Sequence, residues 1–355
     1  MGAIALSPTN IVNNQLTYDK DNTYISMSKY EESPEIMIKR GDVIFVKTGS
    51  TVGKVAYVDK MICKTTLNPQ VVVLKDIKCD NYILSVIMST RNFQNKIQRI
   101  TVGGAVPTLS QVAMGNIFIS LPAAKEQEKI SKFISLLDER IATQNKIIDK
   151  LQTLIKGINK HVFTSNGINY KLEELCEIRS GYSGNQLTSK RGLKVSRIET
   201  ISGHKVNMER VGYVAPFESS ENYRLQVGDI LFSNINSVEY IGNTAFIDKD
   251  YNLYHGMNLL RLIPNDKVVI PFYLYLLLNT NKILNRFKTI CNKAVSQASI
   301  NQTELGKIVI QIPDINAQKQ ICELYQALYA QLESEKYANS LFQNQKQYLL
   351  RQMFI

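Results

Sequence analysis

Leu121-Pro122-Ala123-Ala124-Lys125-Glu126-Gln127-Glu128-Lys129-Ile130 opens a run that this chain writes twice. The second writing begins Ile312-Pro313-Asp314-Ile315-Asn316-Ala317-Gln318-Lys319-Gln320-Ile321, and Pro122 to Phe163 matches Pro313 to Phe354 at an offset of 191 without a gap. Behind the first proline, apolar residues fall at Ile130, Ile134, Leu137, Ile141, Ile148, Leu151, Ile155, Ile158 and Val162, with Gln144 the single polar member. Steps that alternate four and three describe a heptad seam along one helix. Residues 123–160 would extend about 57 Å at 1.5 Å per residue. The second run carries Ile321, Tyr325, Leu328, Leu332, Phe342, Leu349 and Met353 in the same register, interrupted by Glu335, Asn339 and Lys346. A seam of that length needs a cover, and the economical cover is the other copy's helix, packed antiparallel. Polar seam residues then fix register at a cost in stability.

Working outward, the match continues towards the N-terminus of each run. Tyr82 to Ile100 returns as Phe272 to Ile290 at an offset of 190. Gly53-Lys54-Val55-Ala56-Tyr57-Val58-Asp59-Lys60 returns as Gly242-Asn243-Thr244-Ala245-Phe246-Ile247-Asp248-Lys249 at 189, and Gly41-Asp42-Val43-Ile44-Phe45 as Gly228-Asp229-Ile230-Leu231-Phe232 at 187. So small a drift in offset means one unit duplicated, with short loop insertions. Each unit opens with strand-like segments: Val43 to Val46, Val55 to Val58 and Val71 to Leu74 have β-branched content and Gly/Asp/Asn punctuation. A helix is predicted near 81–99 and again near 271–289, then a polar loop, then a short strand at Ile117 to Ser120 or Ile308 to Gln311. The predicted fold is therefore two α/β (α+β) domains and two long coiled-coil helices. A first domain covers 1–122, a helix 123–163, a second domain 164–312 and a second helix 313–355. The copies are unequal: 58 residues separate Tyr170 from Gly228 but only 40 precede Gly41, so the first is about 18 short. The counterpart of Arg179 to Tyr182 is expected to be missing from it, and with it an opening strand.

Charge points to a polyanionic partner. The 355-residue chain carries a formal net charge of +11, with an isoelectric point near 9.2. More telling, Asn81 to Lys125 contains no Asp or Glu but holds Arg91, Lys96, Arg99 and Lys125. The matched stretch, Lys267 to Thr303, also lacks acids and holds Lys267, Lys282, Arg286, Lys288 and Lys293. A surface facing phosphates needs such a composition, since every carboxylate there would repel the backbone.

The loop that follows is polar and small in both copies, with Thr108, Ser110 and Gln111 in the first and Asn292, Lys293, Ser296 and Gln297 in the second. Small residues let the backbone approach DNA, while hydroxyls and amides read base edges. A second candidate is the hairpin after each Gly-Asp: Lys47, Thr48, Ser50, Thr51 and Lys54 in the first copy, Ser233, Asn234, Asn236 and Ser237 in the second. These hairpins differ most although their flanking strands agree, which suits one scaffold presenting two reading heads. Arg179, Tyr182, Asn185, Lys190, Arg191, Lys194 and Arg197 form a third basic, amide-rich candidate edge.

Several classes are excluded or disfavoured. Gly49 to Lys54 fails as a phosphate loop on spacing, on Val55 where Ser or Thr would hold magnesium, and because a strand follows. Asn68-Pro69-Gln70 lacks the aromatic-ended motif of an amino-methyltransferase, and no hydrolase, zincin or nuclease constellation is present. Cys63, Cys79, Cys176, Cys291 and Cys322 form no CxxC pair, and His161, His204 and His255 stand apart, so neither zinc nor disulfides are expected. No apolar run is long enough for a membrane helix. No secretory leader is indicated, and Leu6 breaks the myristoylation pattern. A cytoplasmic, non-enzymatic protein is expected. Two other readings stay open: a helical adaptor with incidental basic charge, and an RNA-recognition module.

With these features in order, the chain resembles the specificity subunit of type I restriction-modification systems. The resemblance rests on the paired Gly-Asp strands, the polar loop before each proline, the segments at 121–130 and 312–321, and the long helix behind each; it covers nearly the whole chain. It implies two target-recognition domains facing opposite ways, with two antiparallel helices as a ruler between them. Each domain would read half of a bipartite site in double-stranded DNA. Two methyltransferase subunits would grip the helices and supply adenosylmethionine chemistry on a flipped-out adenine. Restriction subunits would add ATP- and magnesium-dependent translocation and cleavage, leaving this chain without a cofactor of its own.

Overall fold

A computed structural model describes residues 2–18, 22–163, 167–293 and 297–354, apart from the side chains of residues 160 and 161. It forms two units, Met1–Ile147 with Glu335–Ile355, and Ile148–Ser334. In the first unit the strands are β1 (Ala3–Leu6), β2 (Ile11–Val12), β3 (Gln15–Leu16), β4 (Thr23–Ile25), β5 (Val43–Val46), β6 (Val55–Tyr57), β7 (Thr65–Leu67) and β8 (Val71–Leu74). Helix α1 (Met27–Glu31) precedes β5; α2 (Asn81–Ser89), α3 (Arg91–Ile100), α4 (Gln111–Gly115) and the start of α5 (Ala124–Val162) follow β8. The main sheet has the order β2-β3-β6-β5-β8, and β4-β1-β7 forms a second. All four residues of β5 are buried, so the segment Val43-Ile44-Phe45-Val46 is apolar on both faces: Ile44 and Val46 join one core, Val43 and Phe45 the other.

The second unit carries β9 (Ile168–Lys171), α6 (Leu172–Leu175), β10 (Cys176–Ser180), β11 (Leu193–Val195), β12 (Gly212–Val214), β13 (Ile230–Phe232), β14 (Ile235–Asn236), β15 (Thr244–Phe246) and β16 (Leu260–Pro264). There follow α7 (Pro271–Leu278), α8 (Asn281–Ile290), β17 (Asn292–Lys293), β18 (Ala298–Ser299), α9 (Gln302–Gly306), β19 (Val309–Ile312) and the start of α10 (Ile315–Met353). Its sheet reads β10-β16-β13-β15, so β13, β15 and β16 occupy the places of β5, β6 and β8. The Gly-Asp segments make the same turn. Gly41 and Gly228 have φ of 94° and 99°, and Asp42 and Asp229 accept the N–H three residues back, from Lys39 at 2.8 Å and Gln226 at 2.6 Å. A left-handed residue followed by a turn-closing carboxylate explains why the pair recurs.

Two predicted elements differ. The single helix expected near 81–99 is α2 and α3, and its match is α7 and α8. Both break at a threonine: Thr90 and Thr280 donate their hydroxyls back to Ile87 and Leu277 and accept from Phe93 and Ile283. A β-branched hydroxyl residue that ends one helix and caps the next competes with the continuous ladder. The strand expected at Ile117 to Ser120 belongs to no sheet among the described residues, whereas its match, β19, pairs with β9.

Each long helix starts from a buried glutamine. Gln127 accepts the N–H of Asp80, the N-cap of α2, at 2.9 Å and donates to the carbonyl of Pro122 at 2.8 Å. Gln318 does the same with Ile270 at 2.8 Å and Pro313 at 2.9 Å, and also donates to Val268. One carboxamide thus saturates an orphan helix N–H and the carbonyl of the proline that ends the preceding segment.

The seam is polar where it was predicted to be polar. In the second unit Ile148, Leu151, Ile155 and Ile158 pack with Ile321, Tyr325, Leu328 and Leu332, and the Tyr325 hydroxyl meets Asn159. In the first, Gln144 bonds Glu335, Asn339 donates to Asn145, Lys346 pairs with Asp138, and Arg140 lies over the ring of Phe342. These pairings run antiparallel within each unit. Ile134 is buried, and Ile130, Leu137, Ile141, Phe342 and Leu349 are half-buried.

Replacing Gln318 by Ala strands the Ile270 N–H and two carbonyls in a site 1% exposed. We expect the unfolding free energy in urea to fall by about 2–3 kcal/mol. A loss below about 0.5 kcal/mol would show that the carboxamide does not secure the helix start.

Candidate nucleic-acid interface

The structure brings together the two loops that the sequence offered separately. In the first unit the hairpin after β5 meets the polar loop after α3. Thr48 bridges to Thr108, which also exchanges bonds with Val102. Gly49 donates to Pro107 at 2.9 Å and Leu109 to Lys47 at 2.8 Å. The second unit repeats this as a small sheet, β14-β18-β17. Ile235 and Asn236 pair with Ser299 and Ala298, Asn292 and Lys293 pair with the same two, and Ile300 donates to the Asn234 carbonyl at 2.9 Å. Each unit therefore presents one composite polar surface.

The hairpin's return is fixed by a glycine in each copy. Gly53 and Gly242 have φ of 99° and 82°. A Cβ on Gly53 would lie 2.4 Å from Oε1 of Gln94 on α3, and one on Gly242 2.4 Å from the Phe287 ring on α8. Gln94 ties the turn down by donating to the carbonyls of Gly53 and Met88. Left-handed backbone and close approach to a helix both demand glycine here.

The individual candidates sort by what they touch. Thr108, Gln111, Arg99, Ser50, Ser237, Asn292, Lys293 and Gln297 are exposed on or beside this surface, and Thr48, Thr51, Lys47, Asn236 and Lys288 are half-buried. Arg99 and Lys293 make no ion pair among the described residues. Lys54 is exposed and reaches the Ile11 carbonyl at 3.3 Å. Five candidates carry contacts within the fold or sit apart from this surface. Lys96 donates to the Phe118 carbonyl at 2.9 Å, and the matched Arg286 donates to Val309 at 2.6 Å, so both brace the segment before the proline. Arg91 sits at the other end of α3, lining a groove with Asn13, Asp138 and Lys346. Ser233 is fully buried, with its hydroxyl accepting from Asn236, and Ser110 caps α4 by accepting from Ala113. Asn234 is tied to Ile300, while its Oδ1 is buried without a partner. Ser296 lies outside the described residues.

The third candidate edge is a separate patch of the second unit. Arg179 on β10 makes a two-pronged pair with Glu177, whose carboxyl it holds below the usual range. Asn185, Lys190, Arg191, Lys194 and Arg197 are exposed, with Arg197 3.6 Å from Glu199. Tyr182 stacks on Phe217 at 3.8 Å and meets Tyr223 edge-on. Behind it Tyr182 donates to the His255 carbonyl, and the His255 ring meets the carbonyl of Leu259 at 3.0 Å.

The chain's two halves also match as a family. The model of the type I restriction modification DNA specificity domain fits residues 7–153 and again residues 168–340. The chain belongs to that family. Among relatives, the type I restriction enzyme MjaX specificity subunit of Methanocaldococcus jannaschii is 44% identical over 158 residues, 43% of this chain and 37% of that protein. The MjaVIII specificity subunit of the same organism is 26% identical over 318 residues, 81% of this chain and 72% of the relative. The EcoKI specificity subunit of Escherichia coli is 22% identical over 273 residues, 70% and 58% of the two chains. This chain thus spans about a third of the first of these relatives. Two solved structures share the fold. An S subunit from M. genitalium superposes with a TM-score of 0.61 at 15% identity, covering 100% of this chain and 92% of that one. A chain from a study of complex assembly in a type I system gives 0.60 at 18%, covering 99% and 90%.

The specificity-family scaffold holds a pair that sequence reading missed. Arg261, the second residue of β16, pairs with Asp229 at 2.6 Å, both nearly fully buried, and lies opposite Leu231. Burial pushes the Asp229 carboxyl up, against the Gln226 N–H and the guanidinium, which push it down. The signal was present as an Arg between Leu260 and Leu262. Val73 takes the matched place in the first copy, so the clamp belongs to the second unit alone.

His255 is 1% exposed, and burial pushes its pKa down to about 4. The folded chain therefore keeps the ring neutral while the unfolded chain protonates it near 6.5. Stability from this group is complete above pH 6.5 and is lost as pH falls towards 4, by up to about 3 kcal/mol. Melting between those pH values should show the loss in the native chain and a flatter profile in His255→Gln. Equal profiles would assign the pH dependence elsewhere.

Proposed function

We propose that the chain is the sequence-reading subunit of a type I restriction-modification assembly. The composite polar surface of each unit reads one half of a bipartite site in double-stranded DNA. The observation that carries this is the meeting, twice over, of a copy-specific hairpin with an acid-free polar loop. Matching frames with different loops suit two different half-sites, and the basic neighbours Arg99 and Lys293 suit the phosphates.

The chemistry belongs to partners. Two methyltransferase subunits would supply adenosylmethionine-dependent transfer to an extruded adenine, and restriction subunits ATP- and magnesium-dependent cleavage. The helices offer a seat for them: besides the seam, α5 leaves Phe133, Leu136 and Ile147 exposed and α10 leaves Tyr337, Leu341 and Tyr348 exposed in the first unit, with Leu154 and Leu324 in the second. Apolar side chains spaced along a helix outside its own seam suit helical partners. No helix among the described residues is long and apolar enough to cross a membrane.

Exchanging residues 234–240 for an unrelated loop of equal length should change one half of the methylated motif and leave the other intact, as read by methylation-sensitive sequencing of host DNA. Changes in both halves, or in neither, would break the assignment of one unit to one half-site. Arg99→Ala and Lys293→Ala should each lower the slope of log affinity against log salt by about one. Arg91→Ala should leave it unchanged.

A further inference from the structure

Each composite polar surface has a neighbour that neither of its two loops accounts for. The chain enters β8 and β16 through a short turn, Asn68-Pro69-Gln70 in the first unit and Gly256-Met257-Asn258 in the second. Val46 pairs with Val71, and Phe232 with Leu260. Carried one residue on in the first unit and two in the second, these registers bring Gln70 level with Lys47 and Asn258 level with Asn234, where the hairpins begin. In the first unit the contact is direct. The Lys47 N–H donates to the Gln70 carbonyl at 2.9 Å, and a Cβ on Gly49 would meet Nε2 of Gln70 at 3.5 Å, so the carboxamide lies against the hairpin. Both turns are held by their first residue and present the next two. Asn68 donates its N–H to Leu6 at 2.9 Å and accepts the Gln70 N–H on its side chain at 2.9 Å. Gly256 is buried and donates to the Ser196 hydroxyl at 3.0 Å. Pro69, Gln70, Met257 and Asn258 are exposed. In the second unit Tyr182 is bridged to Gly256, and Met257 and Asn258 stay exposed beside it. Oε1 of Gln70 takes a long bond from Asn68 at 3.4 Å, while its Nε2 donates to nothing among the described residues, and the Asn258 carboxamide bonds to nothing there. Lys60 to Lys75 and Asn252 to Asn265 contain no Asp or Glu.

We propose that these turns are a third reading segment of each unit, with Gln70 and Asn258 as specificity-determining residues for base edges in the major groove. This rests on the proposed DNA-reading function of the composite surfaces. A carboxamide offers a donor and an acceptor side by side, which matches the N6 and N7 edge of adenine and lets Gln and Asn discriminate among base pairs. The turns differ between the copies while apolar strands follow both, the same division of variable loop and kept frame that the hairpins show. The φ of Asn258 is 64°, which Asn tolerates and glycine adopts freely. Asn258→Gly therefore keeps the turn and removes the carboxamide alone.

The test puts each variant gene in place of the native one in the host and reads the methylated motif by methylation-sensitive sequencing of genomic DNA. Discrimination at a base pair is the methylated fraction with the native base over that with each other base. Gln70→Glu keeps the size and exchanges the amide donor for a carboxylate. It should lower discrimination about tenfold or more at one base pair of one half-site. Asn258→Gly should do so at one base pair of the other half, the half that exchanging residues 234–240 alters. Both positions are exposed, so the variants should melt within about 2 °C of the native chain. Lys75→Ala, an exposed position past the far end of β8, should leave the motif unchanged. The proposal is overturned if either variant keeps the native motif, if methylation falls equally at all sites with the motif unaltered, or if one substitution changes both halves. A native chain that yields no two-part motif would overturn the DNA-reading proposal and this one together, so the two failures are distinct.

Discussion

A buried side-chain amide governs the geometry of each half of this protein. Gln127 and Gln318 hold a helix N-terminus with their oxygen and the carbonyl of the preceding proline with their nitrogen. Both bonds lie within the first turn of the long helix, so they fix where that helix starts and its direction relative to the sheet-and-helix layer behind it. A residue able to donate and accept through one planar group is needed; a carboxylate could not donate, and an apolar side chain would leave both backbone groups buried and unpaired. Everything downstream in each copy, from the seam register to the place of the helix end, inherits that start.

The seam itself trades stability for register. An all-apolar seam would hold as well if slipped by a heptad, whereas Gln144 with Glu335, Asn145 with Asn339 and Asp138 with Lys346 are paired in one alignment only. In the second unit the contact is mostly apolar and aromatic, with Tyr325 packed against Phe163 and Tyr329. The polar matches sit mainly in one unit and the apolar mass in the other, so alignment and adhesion are separated along the same pair of helices.

Much of this was legible in the residues. A duplicated pattern at nearly constant offset exposes the unit, its strands and its helices, because hydrophobic period and turn chemistry survive in both copies. The helix break at Thr90 and Thr280 was not visible, since its cause is a hydroxyl turning back on its own backbone and not a change in period. Lys96 and Ser110 read as contact residues by type, but the fold uses one as a carbonyl brace and the other as a cap. Ser233 reads as loop and does follow the end of β13, yet it is buried, with its main chain bonded to Gly242 and Asn243 across the hairpin. The strand at 117–120 failed for a different reason. A strand is a property of two segments, and among the described residues no second segment pairs with this one.

The hairpins and the polar loops they meet are joined to their frame almost wholly by main chain. Lys47 receives Leu109, and Asn234 receives Ile300, through carbonyl and amide groups that every residue type but proline provides in full. Side chains at these positions are thus under little obligation to the fold. A lineage carrying this scaffold can drift, recombine or import loop sequences and keep a folded chain, while mutations at Gly53, Gly242, Gln127 or Gln318 are lost with the structure. Heritable variation should therefore pool in the loops, and the frame should age slowly around them.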